Sequence, residues 1–189
     1  PAFPDYISRL QKQDGTQFKS LVDMIAALAR RMDFFKENGS LVSDHSLEGD
    51  FYLPATYEDV NYIFEKAWIG KKLRPDELAK YKGWVLIELG KLYAQKGFVM
   101  QLHIGALRDN NTAMLEKAGK NIGEDSLNDF NYMPQLGAVL NAISILSPLI
   151  ASICIESMLD IGLIAKPFEL KGIIAITSGI CFSLKSDTT

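Results

Sequence analysis

Two short apolar segments separate stretches in which apolar residues recur at the spacing of an α-helix. The first segment, residues 40–45, ends in Ser-Asp-His, and the second, residues 98–104, contains the other histidine of the chain. Helical spacing precedes the first segment in residues 18–37, and it returns in two stretches that begin at Thr56 and Pro75. Strands that alternate with helices are typical of a parallel sheet covered by helices. The sequence therefore predicts a helix-rich α/β fold.

Local signals support these boundaries. Asn38-Gly39 is a helix-stop signal because glycine adopts a left-handed backbone without steric cost. Thr56 and Asp59 have the spacing of a capping box, and Pro75 suits the first turn of a helix. Beyond the second strand the pattern predicts a polar loop at 108–111, a short helix at 112–118, an irregular loop at 119–129 and a helix at 134–143.

Composition excludes several classes of protein. The 189 residues are 48% hydrophobic and 23% charged, which is typical of a soluble globular domain, and the net charge of −3 argues against a nucleic-acid partner. Cys154 and Cys181 lack the spacing of metal ligands, and we expect reduced thiols in a cytoplasmic protein. The most apolar region, residues 146–164, contains acidic residues, so no transmembrane helix is predicted. Residues 1–10 do not resemble a signal peptide.

The two histidines, His45 and His103, fall near the ends of the two predicted strands. In parallel α/β barrels the carboxyl ends of the strands form the functional face, so we expect both imidazoles at one mouth, where they could bind a metal or transfer protons. Alternatively, each is a hydrogen-bonded core or rim residue, since two histidines fall short of the three protein ligands of a catalytic zinc. Asp44 points away from His45 and is expected to orient another neighbouring group.

Arg108 lies in the loop after the second strand and is followed by Asp109, Asn110 and Asn111. A guanidinium at this position could bind a carboxylate through two parallel hydrogen bonds. Alternatively, Arg108 is a solvated loop residue. The sequence contains no glycine-rich phosphate loop and no nucleophile elbow.

Residues 100–112 read Met-Gln-Leu-His-Ile-Gly-Ala-Leu-Arg-Asp-Asn-Asn-Thr, and this segment closely resembles a segment of the uronate isomerases. Asp109 departs from the family pattern, where asparagine is expected. Flanking segments at 33–45, 90–97 and 123–129 also resemble the family in order and spacing. The resemblance extends from Phe3 to about Ile143.

This resemblance implies that residues 1–145 are the central part of an amidohydrolase-type (β/α)8 TIM barrel. It implies an aldose–ketose isomerase, an intramolecular oxidoreductase that converts D-glucuronate to D-fructuronate and D-galacturonate to D-tagaturonate, two small sugar acids. The reaction moves a proton between C2 and C1, assisted by acid–base groups and a divalent metal such as zinc. The implied catalytic residues are Asp44, His45 and His103, the implied substrate-binding residues are Arg108, Asn110 and Asn111, and the implied metal ligands are His45 and His103.

Departures from the family pattern limit this expectation. The H-x-H metal motif, a late-strand aspartate and an Arg-Pro-Asp segment are missing, and family chains are more than twice as long. We therefore expect an internal fragment that is inactive by itself and holds no metal tightly. Two alternatives remain: a metal-dependent hydrolase of the same superfamily, and an inert or binding-only half-barrel held together by self-association.

Residues 146–189 form a divergent tail in which the resemblance ends. Suitable codons for residues 147–157, read one nucleotide later, would spell Leu-Pro-Ser-Leu-Leu-Leu-Tyr-Ala-Leu-Asn-Pro, which is similar to the next strand of uronate isomerases. Our hypothesis is that the tail is frame-shifted, and an in-frame genomic sequence would contradict it. The apolar run at 145–164 would then promote aggregation.

Overall fold

The computed structural model describes residues 2–120, 122, 125–146, 153–156 and 174–178. Helices and strands alternate through most of this part of the chain. The helices are α1 (Phe3–Asp14), α2 (Leu21–Glu37), α3 (Tyr57–Trp68), α4 (Pro75–Lys96), α5 (Thr112–Ala118) and α6 (Met133–Leu146). The strands are β1 (Val42–Leu47), β2 (Val99–Ile104), β3 (Ala106–Leu107), β4 (Ser126–Leu127), β5 (Ile153–Glu156) and β6 (Ile174–Ser178).

Four strands form a parallel sheet in the order β1-β2-β6-β5. β1 and β2 pair along their whole length, from Val42 opposite Val99 to Leu47 opposite Ile104. A separate antiparallel pair, β3 and β4, follows β2. The α/β, helix-rich class is confirmed, and the strands of the described residues do not close into a barrel. β6 rather than β5 is the neighbour of β2, so the sheet does not follow chain order.

One face of β2 carries the main hydrophobic core. Met100, Leu102 and Ile104 are buried against α4 and α6. A second core lies among α1, α2 and α3, which contribute Ile7, Leu10, Leu21, Met24, Val60 and Phe64. Burial of these side chains is the main force that fixes the helices on the sheet, because each fully buried large apolar side chain contributes about 1.5–3 kcal/mol.

The predicted helix signals are confirmed. α2 ends at Glu37 before Gly39, which has a φ of +86°. Asp59 accepts a hydrogen bond from the backbone N–H of Thr56, and the Thr56 hydroxyl accepts one from the N–H of Asp59. α4 begins at Pro75, as its ring geometry favours.

Several elements differ from the expectation. β2 is buried on alternate residues rather than on both faces, because Gln101 and His103 interrupt its apolar run. β1 is exposed on one face only: its exposed residues alternate with residues that are partly or fully buried. α1 was not predicted, and the loop expected at 119–129 contains the short strand β4.

The predicted tail contributes β5 and β6, two strands that the sequence reading did not anticipate. Most of its apolar run and Cys181 lie outside the described residues, and the frame-shift hypothesis stays a prediction. Across the described residues, no helix combines the length and apolar character needed to cross a membrane.

Candidate active site

The pairing of β1 with β2 places four polar side chains on one face of the sheet. Asp44 lies opposite Gln101, and Ser46 lies opposite His103. Side chains alternate between the two faces along a strand, and those of paired residues share a face. The face that carries Asp44, Gln101 and His103 is therefore the one opposite the Met100–Leu102–Ile104 core.

His103 is held from both sides of its ring. Its Nδ1 lies 3.5 Å from Oδ1 of Asp44, and its Nε2 lies 2.7 Å from the amide nitrogen of Gln101. A neutral imidazole with its proton on Nδ1 satisfies both contacts, because Nδ1–H then faces the carboxylate and Nε2 accepts from the amide. The His103 side chain is 31% exposed, so a ligand can reach it. The role expected for Asp44, orienting a neighbouring group rather than His45, agrees with this geometry.

His45 points to the other face of the sheet. Its Nε2 lies 3.0 Å from the hydroxyl of Tyr93 on α4, and its ring lines a cavity of about 460 Å³ between α2, β1 and α4. Burial lowers the pKa of His45, which favours its neutral form. The expectation that both imidazoles share one mouth is wrong. His45 is paired with Leu102 and His103 with Ser46, and this one-residue offset turns the rings to opposite faces.

Arg108 is surrounded by oxygen atoms at the carboxyl ends of β1 and β2. Its Nε donates to Oε1 of Glu48, one terminal nitrogen lies 3.3 Å from Oδ2 of Asp125, and the other donates to the Ser46 hydroxyl at 3.1 Å. Hydrogen bonding by Arg108 lowers the pKa of the Glu48 carboxyl. Arg108 therefore lies at the carboxyl-end edge of the sheet, and in this structure protein carboxylates bind it.

The two asparagines after Arg108 differ in their surroundings. Asn111 is the N-cap of α5, and its side-chain oxygen accepts a hydrogen bond of 3.1 Å from the N–H of Met114. Asn110 is exposed. The structure thus gives Asn111 a capping role that the sequence reading did not assign, and substrate binding by either residue stays a prediction.

The donor set on this face does not fit a catalytic metal. His103 and Asp44 are two potential ligands, and His45 lies on the other side of the sheet. Within the described ranges, no group of three or more His, Cys, Asp or Glu side chains is arranged to hold a metal ion. Because catalytic zinc takes three protein ligands, the joint His45–His103 site expected from the sequence is not formed by these residues.

Comparison with known proteins identifies the family. The family model of glucuronate isomerase matches residues 1–165, which is most of the chain and extends beyond the boundary expected near residue 145. The chain belongs to the glucuronate isomerase family. The finding agrees with the resemblance carried by residues 100–112, while the exact limit between the two predicted segments stays a prediction.

Relatives within the family match this chain over part of their own length. The uronate isomerase of Clostridium perfringens is 41% identical over 141 residues, which cover 75% of this chain and 30% of that protein. The uronate isomerase of Lachnospira eligens is 35% identical over 144 residues, which cover 76% of this chain and 31% of that protein. The chain therefore spans about 30% of the length of these relatives.

Solved structures of the family have the same fold in the matched region. The crystal structure of uronate isomerase from Thermotoga maritima has a TM-score of 0.69 and 28% identity, and it covers 79% of this chain and 34% of that one. The crystal structure of glucuronate isomerase from Caulobacter crescentus has a TM-score of 0.63 and 23% identity, and the match covers 73% of this chain and 29% of that one. At this identity the likeness supports a shared fold and nothing further.

Sequence reasoning assigned no role to four side chains that contact the candidate site residues. Gln101 was detectable, because it precedes His103 by two residues and so shares its face of the strand. Glu48 and Asp125 left no comparable signal, since they reach Arg108 from loops 60 and 17 residues away in sequence. Tyr93 received no role from the sequence, and its hydroxyl contacts His45 on the opposite face of the sheet.

Proposed function

We propose that this chain carries part of the active site of a uronate isomerase. The complete family-length enzyme would convert D-glucuronate to D-fructuronate and D-galacturonate to D-tagaturonate as an aldose–ketose isomerase. The substrate would be a small sugar acid, and the enzyme would act in the cytoplasm. Family membership, together with a histidine and an arginine at the carboxyl ends of adjacent parallel strands, supports this proposal.

The observation that carries the proposal is the cluster of Asp44, Gln101 and His103 on the same sheet edge as Arg108. His103 would accept a proton from the sugar and return it, because an imidazole can take part in both steps, and Oδ1 of Asp44 lies 3.5 Å from its Nδ1. Arg108 would bind the sugar carboxylate, because its planar guanidinium matches that group. Proton transfer and binding of the carboxylate are two of the functions that an isomerisation between C1 and C2 of a uronate requires. The accompanying proton shift between the oxygens on C2 and C1 would need a further acid–base group.

We place the divalent metal, such as zinc, in the family-length enzyme. Asp44 and His103 supply at most two ligands, so the mechanism proposed for this chain contains no step through a metal. In this structure His45 contacts Tyr93 on the opposite face, so its predicted catalytic and metal-binding roles would require β1 to turn its other face towards the His103 side.

We also propose that β1 and β2 are neighbouring strands of a (β/α)8 barrel. Their parallel pairing and the packing of α4 and α6 on one face support this arrangement, as does the likeness to the Thermotoga maritima enzyme. The polar face with His103 would then face the barrel interior. In a chain that spans about 30% of its relatives, the exposed edge of β1 would favour self-association.

Titration of the full chain with D-glucuronate, followed by NMR, tests the proposed site. We expect binding that Arg108→Gln and His103→Gln both weaken, with a loss of about tenfold or more for Arg108→Gln because a charge-assisted hydrogen bond is removed. Loss of uronate binding in His45→Gln would show that His45 takes part in the site. Absence of uronate binding in the unmodified chain would contradict the proposal.

A binding-only function is the second candidate. The observation that favours it is the incomplete donor set at His103, because a site that lacks ligands can bind a sugar acid without converting it. The NMR sample that shows binding also reports conversion of D-glucuronate to D-fructuronate over time. Binding without conversion favours this candidate for the chain by itself, whereas conversion would exclude it.

A further inference from the structure

Each of the three guanidinium nitrogens of Arg108 contacts an oxygen atom of another side chain. Nε donates to Glu48, and the two terminal nitrogens contact Asp125 at 3.3 Å and Ser46 at 3.1 Å. A substrate carboxylate needs two parallel N–H groups of one guanidinium edge for a bidentate contact. The present partners engage one N–H of each nitrogen, so a substrate carboxylate competes with them for the same guanidinium.

The two carboxylates are not equally easy to displace. Asp125 also accepts a hydrogen bond of 3.0 Å from the backbone N–H of Asp109, so it holds the chain after Arg108 in place. Glu48 is more exposed, with 48% of its side chain accessible against 31% for Asp125, and its carboxylate also accepts a hydrogen bond of 3.1 Å from the Ser46 hydroxyl. Glu48 is the partner that can leave without breaking a backbone contact.

The local charge also requires an exchange rather than an addition. Three carboxylates, those of Glu48, Asp109 and Asp125, act on the single positive charge of Arg108. A uronate that joined them would place a fourth negative charge beside one cation. Replacement of Glu48 by the substrate carboxylate keeps the number of carboxylates in direct contact with Arg108 constant, and Lys82 on α4 is a second cation whose charge acts on Glu48.

We propose that Glu48 is an internal substitute for the substrate carboxylate: it occupies and positions Arg108 in the free protein and is exchanged for the carboxylate of the sugar acid. This proposal rests on the assignment of Arg108 as the carboxylate-binding residue under the proposed function. Glu48 is thus a positioning residue, and it lowers the apparent affinity for the substrate because it competes for the same guanidinium.

The test is the affinity of the full chain for D-glucuronate, measured by NMR titration in Glu48→Gln. We expect binding to become about two- to fivefold tighter, which corresponds to the strength of an exposed ion pair. Glu37→Gln, at the carboxyl end of α2, is the matched control: it changes the net charge equally and should leave the affinity unchanged. Glu48 is half-exposed, so its replacement should not disturb folding.

The double variant Glu48→Gln/Arg108→Gln separates exchange from a long-range effect of charge. If Glu48 competes for the guanidinium, its replacement has no effect once Arg108 is gone. A gain that persists in the Arg108→Gln background overturns the proposal. Unchanged or weaker binding in Glu48→Gln also overturns it while leaving the proposed function intact, whereas no binding by any variant overturns both.

Discussion

At the scale of single residues, Arg30 and Asp14 form a bidentate ion pair that joins the end of α1 to α2. Nε of Arg30 donates to one carboxylate oxygen at 2.7 Å and a terminal nitrogen donates to the other at 2.6 Å. This contact, with a smaller contribution from Thr16, lowers the pKa of Asp14 from 3.8 to about 2. The folded state therefore binds the Asp14 proton less readily than the unfolded state does.

The sign of the pH dependence follows from that shift. Because the folded pKa is lowered, the stabilisation is complete above the unfolded value of 3.8 and is lost as the pH falls towards about 2. We expect Arg30→Gln to be less stable than the unmodified chain at pH 6 and the difference to shrink between pH 4 and pH 3. Urea unfolding at each pH measures it. Arg9→Gln is the control, because it removes one positive charge from an exposed position on α1. Its difference in stability from the unmodified chain should not shrink between pH 4 and pH 3.

Asn111 gives a second prediction, because capping and substrate binding require different features of its side chain. Asn111→Ser retains an oxygen that can cap α5, whereas Asn111→Ala removes it at a cost of about 1 kcal/mol. If Asn111 only caps the helix, uronate affinity and stability should both survive in Asn111→Ser. Thermal unfolding and NMR titration measure the two quantities. A loss of affinity in the serine variant, without a loss of stability, would establish a direct contact with substrate.

At the scale of elements, α4 and α6 approach closely at Gly90. A Cβ added there would overlap Cδ1 of Ile143 and lie 3.0 Å from its Cγ1. Alanine at this position gains about 1 kcal/mol of helix propensity but overpacks a fully buried side chain, which costs about 1–3 kcal/mol. We expect Gly90→Ala to destabilise the chain by about 1 kcal/mol in urea unfolding.

Two further variants identify the cause. Ile143→Val removes the overlapping methyl group, so Gly90→Ala should be less destabilising in that background, with a coupling of at least about 0.5 kcal/mol. Gly137→Ala on α6 meets open space and should stabilise by about 0.5–1 kcal/mol. Equal effects of Gly90→Ala with Ile143 and with Val at position 143 would rule out the steric explanation.

The elements also show which structural information was present in the sequence. Helix boundaries at Thr56, Pro75 and Gly39 were predictable because capping and left-handed backbone geometry depend on a few neighbouring residues. The opposite orientation of His45 and His103 was not, because it depends on the register between two strands more than 50 residues apart. The same limitation explains why Gln101 could be found from its own strand and Glu48 could not.

At the scale of the whole molecule, the outer edge of β1 is the feature that distinguishes this chain from a closed barrel. β1 ends the sheet in the described residues, and the apolar side chains of Phe34, Phe35, Leu41 and Val42 near its start are exposed. Unpaired backbone groups beside apolar side chains favour pairing with another chain. The edge thus supports the proposed self-association.

We expect Val42→Lys to reduce self-association, because a charged side chain on an edge strand opposes pairing. Sedimentation velocity over a range of concentrations measures the effect. Val22→Lys is the matched control, since Val22 on α2 is exposed to a similar degree, 52% against 54% for Val42. Equal self-association of both variants would show that the β1 edge does not mediate it. An unmodified chain that stays monomeric at every concentration would contradict the prediction outright.

The alternation of β2 has a consequence for how this family can diverge. Met100, Leu102 and Ile104 hold the molecule together, while Gln101 and His103, one position away in each case, belong to the candidate active site. Substitutions at these two sets of positions act on different properties, one on the amount of folded protein and the other on its chemistry. A family built on such a strand can acquire a new substrate by changing every second residue and leave its folding intact.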